Sequence, residues 1–243
     1  MRVMIVGGSS GIGLALAQHY LAAGATLAIC ARHIERVPRA LQDAYPQLRC
    51  YAVDIAERAA LAQAIGEFGA PGLDLLIVTA GVYYNSRSHQ LDADSTMAML
   101  RTNVSGLAHA FELGAATMLA RGSGQLVAIA SVAGLLHDYP GASLYSATKR
   151  SVLSLCDSYR VGLAPFSIAV TAIVPGYVDT AKLRALNGGD ASAKPFLLSE
   201  AAASAKIVDA IARRQAVRIF PWQMRCLIAL LNHLPRALLR LRR

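Results

Sequence analysis

The sequence predicts a doubly wound, mostly parallel α/β sheet of about seven strands with helices on both faces. One domain is expected over residues 1–220, followed by a short extension, 221–243. Three observations carry this reading. Short apolar runs alternate with stretches of helical periodicity along the chain, the pattern of strand–helix–strand units. The runs are apolar throughout, as in strands covered on both faces. Finally, 55% of the 243 residues are hydrophobic and 16% are charged, a balance that supplies a large core and excludes a disordered chain.

Charge and cysteine usage narrow the class further. The formal net charge is +9, yet residues 210–243 hold eight Arg and no acid, so the basicity belongs to the tail. A chain-wide nucleic-acid surface is therefore not expected. Cys30, Cys50, Cys156 and Cys226 show no CxxC or metal-like spacing, and no metal site is expected. Buried free thiols fit a reducing, cytoplasmic setting. Arg2 is followed by a short apolar run that Gly7 and Gly8 end, unlike a secretory leader, and no apolar stretch approaches the roughly 20 residues of a membrane span.

In chain order, Val3 to Val6 reads as a buried strand, and GGSSGIG follows it before a helical pattern through Leu14, Leu16, Ala17, Tyr20 and Leu21. Strand, glycine-rich turn and helix make a phosphate site, because small residues let the backbone approach and the helix N-terminus offers free N–H groups. The spacing is Gly7-x3-Gly11-x-Gly13. The second strand, Thr26 to Ala31, ends at Arg32, where a carboxylate would take the ribose 2′-hydroxyl of NAD. A guanidinium there attracts a 2′-phosphate instead, which points to NADP(H), with NAD(H) as the alternative. Glu35 competes as a ribose contact but is expected to cap the next helix.

Leu48 to Val53 is the third strand and runs into Asp54-Ile55; Ala56 to Phe68 is helical; Leu73 to Val78 is the fourth strand and runs into Thr79-Ala80-Gly81. Ligands of such sheets gather at the carboxyl ends of the strands. Asp54 is read there as an adenine contact, with a loop-capping role as the alternative. Leu91 to Arg121 is a long helical stretch whose Asn103 is out of place in an interior. It marks either a satisfied hydrogen bond or a local break that holds a water. Gln125 to Ala130 is the fifth strand, with Ser131 at its end, and a helix from Leu144 carries Tyr145 and Lys149 one turn apart on one face. A neighbouring ammonium stabilises a phenolate, so this pair suits proton transfer. Ile168 to Val174 is the sixth strand, closed by Pro175-Gly176-Tyr177-Val178-Asp179-Thr180. Glu200 to Arg213 is helical and Val217 to Phe220 is a short last strand.

Taken together, Gly7-x3-Gly11-Ile12-Gly13, Asp54, Ala80-Gly81, Asn103, Ser131, Tyr145-x3-Lys149 and Pro175-Gly176-x-Val178-x-Thr180 resemble the short-chain dehydrogenase/reductase family, in its single-domain Rossmann-fold branch. The resemblance covers residues 2–220. It implies an oxidoreductase that interconverts a carbonyl and a secondary alcohol with NADP(H). Tyr145 would be the acid–base, and Lys149 would bond the nicotinamide ribose and lower the tyrosine pKa. Ser131 would hold the substrate oxygen, and Asn103 would anchor a water linking Lys149 to solvent. Gly7, Ser9, Ser10, Gly11, Ile12 and Gly13 would line the pyrophosphate turn. Arg32, Asp54, Ile55, Ala80 and Gly81 would meet the adenosine half. Asn103, Tyr145, Lys149, Pro175, Gly176, Val178 and Thr180 would surround the nicotinamide half. A homodimer or homotetramer is implied by the same likeness. A 3-oxoacyl-carrier-protein-type reductase is the neighbouring alternative, and a non-catalytic nucleotide-sensing module the alternative from another class.

Three departures stand out. Val6 replaces the family's Thr before the first glycine, Thr79 replaces the Asn of Asn-Ala-Gly, and Ser131 to Tyr145 is one residue longer than the commonest spacing. The first two put local hydrogen bonds at the sheet in question. On the substrate side, residues 181–198 are expected to form a flap, and Tyr83, Tyr84, His137, Tyr139 and Tyr177 are candidate pocket residues. The tail, with Leu227 to Leu231 apolar nearly all round and Pro235 starting an arginine-bearing turn, suits a membrane surface. Packing on the core or on a partner subunit is the alternative.

Overall fold

The structure, a computed structural model, describes residues 1–84, 92–136 and 143–233. Its centre is a seven-stranded sheet of β1 (Arg2–Val6), β2 (Thr26–Ala31), β3 (Arg49–Ala52), β4 (Leu75–Val78), β5 (Gly124–Ile129), β6 (Ile168–Pro175) and β7 (Val217–Phe220). The order is β3-β2-β1-β4-β5-β6-β7 and every pairing is parallel. "Mostly parallel" thus becomes wholly parallel among the described strands. The strand order reverses between β1 and β4, so a crevice opens at their carboxyl ends.

Alternation along β1 shows why the strands read as continuous apolar runs. Val3 and Ile5 face one side, where α1 (Gly11–Ala22) and α8 (Glu200–Ala212) contribute Leu16, Tyr20, Ile207 and Ile211. Met4 and Val6 face the other, against Leu61, Ile65 and Phe68 of α3 (Arg58–Gly69), Phe111 and Met118 of α5 (Leu107–Leu119), and Val152 and Cys156 of α6 (Leu144–Leu163). Both faces are dry, so neither set of alternating positions can be polar.

Several expectations need correction. The helix expected after Glu35 is short, α2 (Arg39–Ala44), and buries none of its residues. Glu35 does not cap it. It sits in a 3₁₀ turn, Ile34–Arg36, and its carboxylate lies 3.0 Å from His33 Nδ1, in solvent. The long helical stretch after residue 91 is three pieces: α4 (Ala93–Leu100), a π-helical segment Arg101–Gly106, and α5. The remaining helices are α7 (Ala181–Ala185) and α9 (Trp222–His233), the latter longer at both ends than the apolar run Leu227 to Leu231. The four cysteines are free: Cys30 and Cys156 buried, Cys50 half-buried and Cys226 exposed.

Candidate active site

The glycine-rich turn is held by the protein itself. Gly7 adopts φ +96° and its N–H donates to Cys30 O at 2.7 Å. A Cβ at Gly7 would lie 2.4 Å from Ala80 N, and one at Gly13 would lie 2.4 Å from Gly7 O and 2.6 Å from Thr79 Oγ1. Both glycines therefore serve close packing of turn, strand and helix. Gly11 is different: it needs φ +54°, and its Cβ position meets only side chains, the Thr180 methyl at 3.4 Å and a Glu200 carboxylate oxygen at 3.9 Å among its nearest atoms. Ser10 begins α1 without a side-chain cap. The helix N-terminus thus keeps backbone N–H groups for a phosphate.

Thr79 resolves two of the sequence departures at once. Its hydroxyl lies 2.9 Å from Gly7 O and 3.2 Å from Val6 O, donating to both carbonyls. It ties the turn to β4 without a side-chain partner from Val6.

At the adenosine end, Arg32 Nη1 lies 3.9 Å from an Asp54 carboxylate oxygen. The other Asp54 oxygen accepts from Ala56 N at 2.9 Å, so Asp54 is a turn-capping acid beside the guanidinium. Ile55 is buried, and its side chain packs at the Cβ position of Gly106, so it is committed to the core.

At the other end, four elements converge. Asn103 projects from the π-helical segment and is 2% exposed. Its Oδ1 accepts from Val82 N at 2.8 Å, and its Nδ2 donates to Val82 O at 2.9 Å and to Thr148 Oγ1 at 3.1 Å. Thr148 donates in turn to Tyr145 O at 2.8 Å. The extra residue of the π turn therefore anchors the β4 exit to the helix that bears the Tyr–Lys pair. The amide is satisfied by protein, the first of the two accounts of Asn103, and the irregularity around it is a π-helical segment within a continuous helix.

Lys149 is 6% exposed and donates to Ile129 O at 2.9 Å; its ammonium is 5.8 Å from the Tyr145 ring centroid. Burial lowers its pKa to about 8, the Lys182 charge adds to the fall, and Cys156 opposes it. Tyr145 moves the other way. Burial of its hydroxyl pushes its pKa up to about 12, with the Ser131 hydrogen bond pulling down and Tyr83 pushing up, although the ring edge keeps some solvent access. The expected lowering by Lys149 does not act in the free site: burial dominates, and the group that opposes it is Ser131. Tyr83 packs edge-on against Tyr145, centroids 4.7 Å apart.

Ser131 is positioned from both sides. It begins the 3₁₀ turn Val132–Leu135, and its Oγ accepts from Ala133 N at 3.2 Å. Gly134 lets that turn settle on α6: a Cβ there would lie 2.7 Å from Lys149 C and 2.8 Å from Lys149 O. Sequence reading missed Gly134, Thr148 and the fastening role of Thr79. Each acts through a close approach between distant segments, and no local pattern announces it. At the β6 exit, Pro175 and Val178 are buried, Gly176 donates to Phe220 O at 2.8 Å, and Thr180 accepts from Leu183 N at 3.1 Å to cap α7. Tyr177 meets Lys194, whose ammonium lies 5.6 Å from its ring centroid. His137, Tyr139 and the loop His137 to Ala142 lie outside the described residues.

The cleft therefore fits an anionic dinucleotide. It offers an uncapped helix N-terminus at a glycine turn, with Arg32 at one end and a buried Lys149 at the other, and among the described residues no carboxylate pairs with that lysine. The packing of Gly134 yields a test. Gly134→Val should lower turnover roughly 10²-fold by forcing the Ser131 turn and Lys149 apart, with the far-ultraviolet circular dichroism of the natural protein retained. Unchanged turnover in a folded Gly134→Val protein would refute this positioning.

Comparison with known proteins agrees with this architecture. The family model described as short chain dehydrogenase matches residues 1–190. An uncharacterized oxidoreductase of Mycobacterium tuberculosis is 33% identical over 238 residues, 91% of this chain and 89% of that protein. The 2-(R)-hydroxypropyl-CoM dehydrogenase of Xanthobacter autotrophicus is 36% identical over 192 residues, covering 74% of this chain and 75% of that one. Among solved structures, a short-chain dehydrogenase from Sphingobium yanoikuyae in complex with NADPH superposes with a TM-score of 0.80 at 26% identity, over 90% of this chain and 87% of that chain. With the glycine turn, the parallel sheet and the Ser131–Tyr145–Lys149 cluster already in place, these matches show that the chain belongs to the short-chain dehydrogenase family of NAD(P)-dependent oxidoreductases.

Proposed function

We propose that the protein interconverts a carbonyl and a secondary alcohol with NADP(H), and that residues 1–220 carry this activity. The observation that supports it is the convergence of Tyr145 with a buried Lys149, whose ammonium lies 5.8 Å from the Tyr145 ring centroid, at the strand end that carries Ser131. Bound NADPH would supply the hydride. The Ser131 hydroxyl holds and polarises the carbonyl oxygen. Tyr145, whose pKa burial pushes up, keeps its proton near neutrality and donates it as charge develops on the oxygen. Lys149 stabilises the phenolate left behind, and Asn103, joined to α6 through Thr148, keeps the lysine's surroundings in place. Arg32 supports NADP(H) over NAD(H), because no acid replaces it at the end of β2, and the NADPH-bound relative points the same way.

The protonation states set a pH dependence. Lys149 has its pKa lowered to about 8, so it is charged below that pH and neutral above it. Tyr145 remains an acid across the whole range. For reduction, kcat/KM should therefore be flat below pH 8 and fall above a limb near 8. Lys149→Arg, if active, should move that limb upward. A profile level to pH 10 would remove Lys149 from the reaction.

Tyr145→Phe should bind NADPH as the natural protein does and lose carbonyl reduction by about 10²- to 10⁴-fold, read by NADPH absorbance on a panel of medium- and long-chain ketones. Full turnover by that variant would refute the acid–base assignment, and tighter NADH than NADPH binding would refute the Arg32 argument.

Residues 221–243 support peripheral contact with an anionic membrane, and with it an apolar or lipid-like substrate. One side of α9 packs on the domain through Met224 and Ile228, and Asn232 Nδ2 donates to Leu135 O at 2.8 Å. The opposite side exposes Trp222 (69%) and Leu230 (60%) beside Arg225, and Arg236, Arg240, Arg242 and Arg243 follow in sequence. Each Arg near an anionic surface contributes about 1 kcal/mol. No helix among the described residues is long and apolar enough to cross a bilayer. In this reading the protein co-sediments with phosphatidylserine vesicles, and the quadruple change of those four tail arginines to Gln, or Leu230→Ser, weakens it. Equal binding by all three would rule it out. Assembly as a homodimer or homotetramer rests on family likeness.

A further inference from the structure

The proton chemistry leaves one cation in the cleft unused. Lys182 lies in the first turn of α7, the helix that follows the Pro-Gly-x-Val-x-Thr segment. Thr180 caps this helix, and its methyl stands 3.4 Å from the Cβ position of Gly11, so the start of α7 roofs the glycine-rich turn. From there Lys182 reaches across the cleft and donates to Gly81 O at 2.9 Å, joining the β6 exit to the β4 exit across 101 residues of chain. The Cβ position of Gly81 is itself 3.4 Å from Lys149 Nζ.

Lys182 is thus near two other cations. Its charge acts on Lys149, and Arg32 acts on it. Solvent reaches the side chain, yet protein around the ammonium lowers its pKa first by displacing water and then through Arg32. Among the described residues no carboxylate forms an ion pair with Lys182; its hydrogen bond is to a neutral carbonyl. Arg32 has the Asp54 carboxylate beside it, but Lys149 and Lys182 hydrogen-bond neutral carbonyls, so the cleft keeps an excess of positive charge that a ligand carrying several negative charges relieves. The order matters. Arg32 marks the adenosine end and Lys149 the catalytic end, while Lys182 starts from the helix that covers Gly11 and places its ammonium at Gly81 O, between the glycine-rich turn and Lys149. The middle of a dinucleotide is its pyrophosphate.

We propose that Lys182 is a pyrophosphate ligand, which fastens α7 over the glycine-rich turn when the dinucleotide binds. This rests on the cofactor reading above and adds a residue to it. Lys182 supplies a single flexible ammonium, suited to a phosphate as a point charge. The bond to Gly81 O shows that the side chain spans the cleft, so no rearrangement of the backbone is required to meet a ligand lying there.

The test is calorimetric binding of three probes to the full chain: NADPH, 2′-phospho-ADP-ribose and 2′-AMP. The first two carry the pyrophosphate and the third does not. Lys182→Met should weaken NADPH and 2′-phospho-ADP-ribose by roughly tenfold to a hundredfold and leave 2′-AMP unchanged, and the salt dependence of the first two should become shallower. Lys182→Arg should restore most of the loss. Arg32→Ala should weaken all three probes, which separates the 2′-phosphate from the pyrophosphate. Lys182→Met binding NADPH within about twofold of the natural protein overturns the proposal and leaves the cofactor reading standing; so does a loss that appears only in the KM of an anionic substrate. Failure of the natural protein to bind any of the probes overturns both.

Discussion

The site depends on keeping an ammonium enclosed without neutralising it. A buried charge costs several kcal/mol unless hydrogen bonds replace its water. For Lys149 the replacement is the Ile129 carbonyl at the end of β5, and among the described residues no carboxylate joins it. A paired carboxylate would be cheaper for folding, but it would cancel the positive potential that a phenolate or a phosphate requires. Several irregular features of this end of the sheet serve the enclosure. The π-helical segment turns Asn103 inward onto Val82, Thr148 links it to α6, and Gly134 lets the turn after Ser131 close on the lysine's own backbone. Regular helix and strand alone would leave the ammonium wet.

That enclosure fixes the order in which the pair loses protons. In water a phenol and an ammonium titrate within about half a unit of each other. Here burial moves each toward its neutral form, Lys149 down to about 8 and Tyr145 up to about 12. In the reduction proposed above, this makes the phenol the proton source and the ammonium its stabiliser. The i,i+4 spacing invites a simpler account in which Lys149 drags Tyr145 toward neutrality. In the free site Ser131 is the group that favours the phenolate, and the ammonium becomes important once negative charge forms.

What could be read in the sequence was what repeats or stays local. Strands β2 and β7 fall at the residues expected, because each is an apolar run ended by a polar or turn residue, and Asn103 betrays the π-helical segment by its poor fit in an interior. The Tyr–Lys pair is visible because a helix converts a four-residue interval into a shared face. Thr79, Gly134 and Lys182 were not visible as functional residues. The bonds of Thr79 and Lys182 cross 72 and 101 residues, and a side chain at Gly134 is excluded by a backbone met only after folding. The glycine motif was visible but uniform. Only packing shows that Gly7 and Gly13 answer to the protein, while Gly11 faces the roof of the cleft.

The catalytic and the substrate-facing parts draw on different lengths of chain, yet they meet at one wall. Asn103, Ser131, Tyr145 and Lys149 come from the middle of the sequence, whereas α7 and α9 come from its last third. The short turn Val132–Leu135 belongs to both. On one side Gly134 seats it against α6 at Lys149; on the other, Asn232 of α9 donates to Leu135 O. Gly176 makes the same junction at the β6 exit, where Pro221 and Met224 pack within 3.2 to 3.5 Å of its Cβ position. A displacement of α9 is therefore transmitted to the turn that begins at Ser131, because close-packed contacts carry strain and do not absorb it. The C-terminal segment is thus packed on the turn that begins at Ser131, while Lys149 is enclosed from the other side by β5 and the π-helical segment.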